Sequence, residues 1–253
     1  DEAMDDPENV KTMLDIILSQ NTNLKHPPQT EKEQRTSTDN RQIRLDVYAI
    51  DEDDVIYEVE AQKENTHNLP KRSRLYQGII DSKLLPPGVV DFNLLNEVLI
   101  VLIMPFDLFG YGLYRYTFQM KCEEVPELKL DDGATRIFLN TRGKHPELVS
   151  PELIELLKYM EHSTDEISEA CESKRIQEMH RRVCQIKASE KAEVKYMQTW
   201  EEKILIKQEG ERIGLERINR LNQKLIEQGR FDDLTKATSD SSYQEKLLKE
   251  FKI

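Results

Sequence analysis

The sequence predicts an α/β fold, and three features carry that prediction. The stretch Arg44 to Gln62, RLDVYAIDEDDVIYEVEAQ, alternates apolar and polar residues on both sides of an acidic run, as a β-hairpin does. The run VLIVLIM, Val98 to Met104, is continuously apolar, which fits a central strand covered on both faces. Between and after these strands, apolar residues recur at helical spacing, most densely beyond Ser150.

Taken in order, the chain begins a helix at Asp6-Pro7-Glu8. Asp6 suits the cap, proline the first helical position, and Glu8 the positive end of the helix dipole. Val10, Met13, Leu14, Ile17 and Leu18 form its apolar stripe, and Pro27-Pro28 ends the unit. Thr30 to Gln42 is polar and reads as a ragged edge strand. The hairpin follows, with Asp51 to Asp54 as turn residues. A helix over Asn68 to Leu85 places Leu75, Ile79 and Ile80 on one side and stops at Pro86-Pro87-Gly88. Two more strands, Tyr114 to Lys121 and Thr135 to Asn140, are joined by the turn Asp131-Asp132-Gly133. A boundary falls near Gly143 to Ser150, so the expected division is a core over residues 1–145 and a helical region over 146–253. In that region Ser150-Pro151-Glu152 opens a helix. Ile176, Met179, Val183, Ile186, Met197, Trp200 and Ile204 lie near heptad spacing. They read either as a seam for self-association, giving a homo-oligomer, or as a helix packed on the body of the protein. Gly210 and Gly214 punctuate the chain, and helices over Ile213 to Gln228 and Ser241 to Phe251 close it.

The hairpin poses an electrostatic question. Side chains alternate faces along a strand, so Leu45, Val47, Ala49, Tyr57, Val59 and Ala61 share one face. Arg44, Asp46, Tyr48, Glu58, Glu60 and Gln62 share the other. A turn centred on Asp53 sets Asp46 opposite Glu60 and Arg44 opposite Gln62. A slip of one residue would place apolar residues against polar ones, so the register is well specified. Opposed carboxylates about 5 Å apart at Cβ repel unless something positive lies between them. Arg44, open water or a bound cation can each relieve this. Mg²⁺ takes one or two carboxylates and completes its octahedron with water and phosphate. Asp46 and Glu60 offer that set, and the backbone carbonyl of Ala61 offers a third oxygen. From charge spacing alone, a solvated acidic hairpin is the simpler reading, because acidic turns are common.

Composition bounds the function classes. The 253 residues are 38% hydrophobic and 33% charged, with a formal net charge of -12. That charge opposes broad nucleic-acid binding, which depends on neutralising phosphates with Lys and Arg. Any such contact needs a local basic patch or metal ions. No apolar run approaches the roughly 20 residues of a membrane span. Cys122, Cys171 and Cys184 show no CxxC spacing, and the five histidines show no HxxxH or HExxH pattern. A reducing cytoplasm is the simplest compartment, and no membrane partner is expected.

The order of a strand Asp, a hairpin, Glu-x-Lys and a basic helix resembles the PD-(D/E)XK nuclease superfamily, whose restriction-endonuclease-like core is a mixed central sheet flanked by helices. Here Asp46 matches the lone Asp, and Glu60-Ala61-Gln62 matches the last motif with Gln in the Lys position. More narrowly, IRLDVYA, EVEAQ, LPKRSRLYQGIIDS, FDLFGYGLYRYTF, DGATRIFLNTRG and SPELIELL resemble the Rpn-type recombination-promoting nucleases, also described as transposase-like. The similarity runs from Pro7 to the tail GRFDDLTKATSDSSYQEKLLKEF. It implies metal-dependent DNA cleavage with Mg²⁺ or Mn²⁺, DNA as the partner, and Asp46 and Glu60 as metal ligands. Gln62 would orient the attacking water or the scissile phosphate; it keeps the hydrogen bonding of Lys and loses the charge. Arg72 and Tyr76, one helical turn apart, match the family's R-x-x-x-Y pattern and are expected at the phosphate or supporting the site. Lys63, Lys71 and Arg74 extend a basic patch. Glu8 and Glu58 are further acids: for Glu8 the role of a helix N-terminal acid is sufficient by itself, and Glu58 reads as a solvated strand residue in preference to a second metal contact. Tyr111, Tyr114 and Tyr116 read as strand packing in preference to base stacking. The family's Asp-Phe-x-Phe-like segment has no counterpart in Asp1 to Met4. With the net charge and Gln62, this motivates the alternative of a catalytically weak or inactive nuclease-fold protein that binds DNA or a protein partner.

Overall fold

A computed structural model of the chain describes residues 2–34, 43–188, 190–251 and 253. Six strands form one mixed sheet: β1 (Gln29–Gln34), β2 (Ile43–Ile50), β3 (Ile56–Ala61), β4 (Val98–Met104), β5 (Arg115–Phe118) and β6 (Ala134–Asn140), in spatial order β1-β2-β3-β4-β6-β5. β3, β4 and β6 run parallel, while the β1–β2, β2–β3 and β5–β6 pairs are antiparallel. The continuous apolar run is the central strand expected: β4 lies between β3 and β6 and is buried apart from the half-buried Leu99. The polar edge strand is β1; its expected continuation over 35–42 lies outside the described residues.

Helices cover both faces. α1 (Pro7–Leu18) begins as its sequence dictates, with the Asp6 carboxylate accepting the Glu8 amide proton at 2.8 Å and Pro7 at the first helical position. Its stripe of Val10, Met13, Leu14 and Ile17 is buried, each side chain adding about 1.5–3 kcal/mol of apolar burial. It packs with α3 (Pro151–Glu161) and α5 (Lys174–Lys187) over Val47, Ala49, Tyr57, Val59, Val101, Ile103, Ile137 and Leu139. Ser150 caps α3 through the Leu153 amide. The short α4 (Asp165–Ala170) links α3 to α5.

The opposite face carries Tyr48, Ile56, Val98, Ile100, Leu102, Met104, Tyr116 and Phe138. It is covered by α2 (Leu69–Asp81), through Leu69, Tyr76, Ile79 and Ile80, and by Phe106, Leu108, Phe109 and Leu113 of the loop after β4. Leu75, expected beside Ile79 and Ile80, is exposed instead. The buried stripe is set by positions 69, 73, 76, 77 and 80, and residue 75 falls outside that arc.

The chain divides into two compact units, Asp1–Ala188 and Ser189–Ile253. The second contains α6 (Glu190–Glu227), α7 (Phe231–Ser239) and α8 (Ser241–Glu250), which share a small core of Leu221, Leu225, Ala237 and Leu247. One expectation is corrected here and one pair of alternatives is decided. Gly210 and Gly214 do not break the chain: α6 runs through both, and the separate helix expected from Ile213 is its second half. Ile176, Met179 and Val183 belong to the core of the first unit, so on α5 the heptad-like seam is a helix packed on the body. Of the later seam positions, the side chain of Met197 lies outside the described residues, and Trp200 is exposed. Among the described residues, no helix is long and apolar enough to cross a membrane.

Candidate active site

The hairpin register is the one its alternation demands. Val47 pairs with Val59, Tyr48 with Glu58, Ala49 with Tyr57 and Ile50 with Ile56. Continuing that pairing sets Asp46 against Glu60. The turn is tied down by Asp51, which is buried. One carboxylate oxygen accepts the amide protons of Asp53 and Val55 at 3.0 and 2.9 Å, and the other accepts the Tyr57 hydroxyl at 2.6 Å. An acid that reads as a solvated turn residue is therefore what locks the loop. The locked loop fixes which side chains of β2 and β3 share a face.

The face that carries Asp46, Glu58 and Glu60 is the one roofed by α2. Asp46 is half-buried, and its Oδ2 accepts the Ala61 amide proton at 3.2 Å. An N–H and a C=O of one strand residue point to the same neighbouring strand, so the Ala61 carbonyl is also directed toward β2. Glu60 is 7% exposed and forms an ion pair with Arg72 through Oε1. Arg72 Nη2 also donates to Gln62 Oε1 at 2.9 Å, and its guanidinium lies 5.6 Å from the centre of the Tyr76 ring. The one-turn spacing of Arg72 and Tyr76 thus does place them on the face that meets the acids. The other end of the Gln62 amide donates to the Glu64 carbonyl at 2.7 Å.

Glu58 is the residue sequence reasoning undervalued. A solvated strand residue is the simpler expectation, yet its side chain is completely buried, and among the described residues neither carboxylate oxygen has a hydrogen-bond partner. Glu60 Oε2 is also buried without a partner. Burial pushes the Glu58 carboxyl well above the ordinary carboxylate range, the charge of Asp46 raises it further, and Arg72 only partly opposes them. The signal was present: the helix that follows the hairpin within a few residues must cover one of its faces. Alternation showed which residues share a face, not which face is covered.

The remaining candidates divide by location. Lys63, Lys71 and Arg74 are exposed and form no ion pair among the described residues, so they are available to an outside anion. Glu8 is exposed at the start of α1, on a helix packed against the opposite face of the sheet; no contact joins it to Asp46 or Glu60 among the described residues. The side chain of Arg44 lies outside the described residues. Tyr114 and Tyr116 are buried, and Tyr111 is exposed. The Tyr116 hydroxyl donates to Asp107 at 2.7 Å. Asp107 also accepts the amide protons of Phe109, Gly110 and Gly112, which closes the loop FDLFGYG.

Compared with protein-family models and with curated proteins, the sequence matches none.

The donor set suits a hard divalent cation. Asp46, Glu58 and Glu60 share one face with the Arg72 guanidinium, although ligand oxygens of all three do not lie within 4.8 Å of one another, so the set is not closed around one point. Three of their buried oxygens have no hydrogen-bond donor. Uncompensated buried acids are costly, and oxygen ligands are what Mg²⁺ and Mn²⁺ take. The ion pair to Arg72 engages one oxygen of Glu60 and leaves the other for a metal.

Proposed function

We propose that the protein is a metal-dependent DNA endonuclease with a PD-(D/E)XK-type core, acting in recombination or on mobile elements. The observation that supports this reading is the placement of Asp46 and Glu60 on one face of the paired strands β2 and β3, beside the fully buried carboxylate of Glu58, which has no hydrogen-bond partner among the described residues. Asp46 and Glu60 would hold the ion, with the Ala61 carbonyl beside them. A bound Mg²⁺ or Mn²⁺ polarises the scissile phosphate and lowers the pKa of the attacking water. Gln62 offers an amide to orient that water. Arg72, held by Glu60 and Gln62 and lying over the Tyr76 ring, would supply positive charge to a docked phosphate. Lys63, Lys71 and Arg74 would contact flanking phosphates, a local basic patch on a chain of net charge -12.

The test is cleavage of supercoiled plasmid with Mg²⁺ or Mn²⁺. Wild type is expected to nick or linearise it. Asp46→Ala and Glu60→Ala are expected to lose at least a hundredfold in rate with an unchanged far-ultraviolet circular dichroism spectrum. Equal rates in wild type and both variants would overturn the assignment.

A second reading is that the protein binds DNA or a protein partner without cutting. It is favoured by the occupied state of the Gln62 amide, whose two ends are engaged by Arg72 and by the Glu64 carbonyl. Retained DNA binding with no cleavage under any divalent ion would select it.

A further inference from the structure

A second constellation lies in the helices beyond the sheet, and the proposed nuclease site does not use it. His180 and Cys184 sit one turn apart on α5 and share a face. Asp165, the first residue of α4, reaches the same point. One donor atom from each of the three lies within 4.8 Å of the others. The shared centre is His180 Nε2, which is 2.8 Å from Asp165 Oδ1 and 3.4 Å from Cys184 Sγ. We propose that Asp165, His180 and Cys184 bind a borderline-soft divalent transition metal of the zinc class.

The chemistry of the set selects the ion. A thiolate, an imidazole nitrogen and a carboxylate oxygen are the zinc ligands, whereas Mg²⁺ takes oxygen alone. Zinc–ligand bonds of about 2.0–2.3 Å put neighbouring ligand atoms in a tetrahedron about 3.5 Å apart; His180 and Cys184 already have that spacing, and the 2.8 Å hydrogen bond from Asp165 to His180 would open to admit the ion. The imidazole is already oriented from behind. His180 is 9% exposed, its Nδ1 lies 3.1 Å from the Tyr159 hydroxyl, and the two rings meet edge to face. With the metal on Nε2, Nδ1 carries the proton and donates it to Tyr159, the outer-shell bond that fixes a ligating histidine. Binding releases the Cys184 thiol proton to solvent.

Three ligands from the chain leave a fourth position for water or an outside donor. The site borders a cleft of about 390 Å³ lined by Asp165, Ser168, Glu169, Gln177, His180 and Arg181. Asp165 and Cys184 are exposed, so the ion has a path in. The position is separate in composition from Asp46 and Glu60, so loss of one site leaves the other.

Cobalt(II) titration of the full chain under reducing conditions tests the proposal, because a thiolate ligand gives a charge-transfer band that an all-oxygen site lacks. The band is expected to saturate at one ion per chain and to be displaced by Zn²⁺. It is expected to vanish in Cys184→Ser and Cys184→Ala, both at an exposed position, and to persist in Asp46→Ala. Asp165→Asn and Tyr159→Phe are expected to keep the band with about tenfold or more weaker affinity, the usual cost of a disturbed ligand shell. Absence of the band in wild type overturns the proposal. So does its survival in both Cys184 variants, which would place the ion on Cys122 or Cys171, or unchanged affinity in both Asp165→Asn and Tyr159→Phe.

Discussion

Two acids show how little a residue's type says about its role. Glu58 and Asp107 are both carboxylates beside a tyrosine-rich loop or strand, and their surroundings push them in opposite directions. Among the described residues Glu58 has no donor for either oxygen, so its buried charge opposes the metal-free fold. Glu58→Gln is expected to raise the thermal unfolding midpoint in EDTA at pH 8, by the equivalent of about 1–3 kcal/mol, and to weaken Mn²⁺ binding. A lower midpoint in EDTA would mean that the carboxylate is satisfied in the folded protein. For Asp107, burial raises the carboxyl, but the Tyr116 hydroxyl and the amides of Gly112, Gly110 and Phe109 outweigh it and hold it below the ordinary Asp range. Its folded pKa is depressed, so its stabilisation is present above the ordinary value of about 3.9 and is lost as the pH falls through the folded value. Asp107→Asn is expected to lower stability at pH 7 by about 1.5–3 kcal/mol. The gap from wild type should narrow below pH 4; a gap that stays constant into acid would rule out the ionised carboxylate as the cause. Neither environment was legible in the sequence. Alternation reports which residues share a face, and a carboxylate's partners come from elements distant in the chain.

At the scale of elements, patterns of period two and short capping signals were the reliable ones. The hairpin register, the central position of β4 and the Asp6 and Ser150 caps all follow from local chemistry. The turn expected at Asp131-Asp132-Gly133 does not join β5 to β6: the chain reverses earlier, where Lys121 pairs with Lys129, and Gly133, at φ +72°, leads into β6 with its carbonyl accepting the Val98 amide at 3.0 Å. The glycines of α6 misled, because glycine weakens a helix without having to end it. A Cβ at Gly210 or Gly214 would meet nothing within 4 Å. Each exchange to alanine is therefore expected to stabilise α6 by about 1 kcal/mol, read as a higher midpoint by circular dichroism. A lower midpoint in either variant would mean that the helix bends or frays at that glycine. The heptad-like spacing of Ile176, Met179 and Val183 left two readings open, a self-association seam and a helix packed on the body, and the second holds. A helix packed on a sheet needs the same apolar stripe as a coiled coil, and only the partner differs. The cluster of Asp165, His180 and Cys184 was invisible because its third member comes from another helix, leaving only an unremarkable His-x-x-x-Cys in the sequence.

For the whole molecule, a net charge of -12 and a DNA substrate are compatible only if positive charge is concentrated at one place. The fold arranges this in part. The sheet order puts β3 next to the central strand, α2 roofs the face that carries the acids, and α2 brings Arg72, with Lys71 and Arg74 on its exposed side, to that face. A divalent ion among Asp46, Glu58 and Glu60 would supply the rest. Titration calorimetry with Mg²⁺ reads ion binding at that point without interference from the helical cluster, since this oxygen-seeking ion does not compete for the thiolate of Cys184. The expected result is a saturable heat in the wild-type protein that disappears in Asp46→Ala and in Glu60→Gln while the fold is kept. No heat in the wild type, or the same heat in both variants, would contradict it.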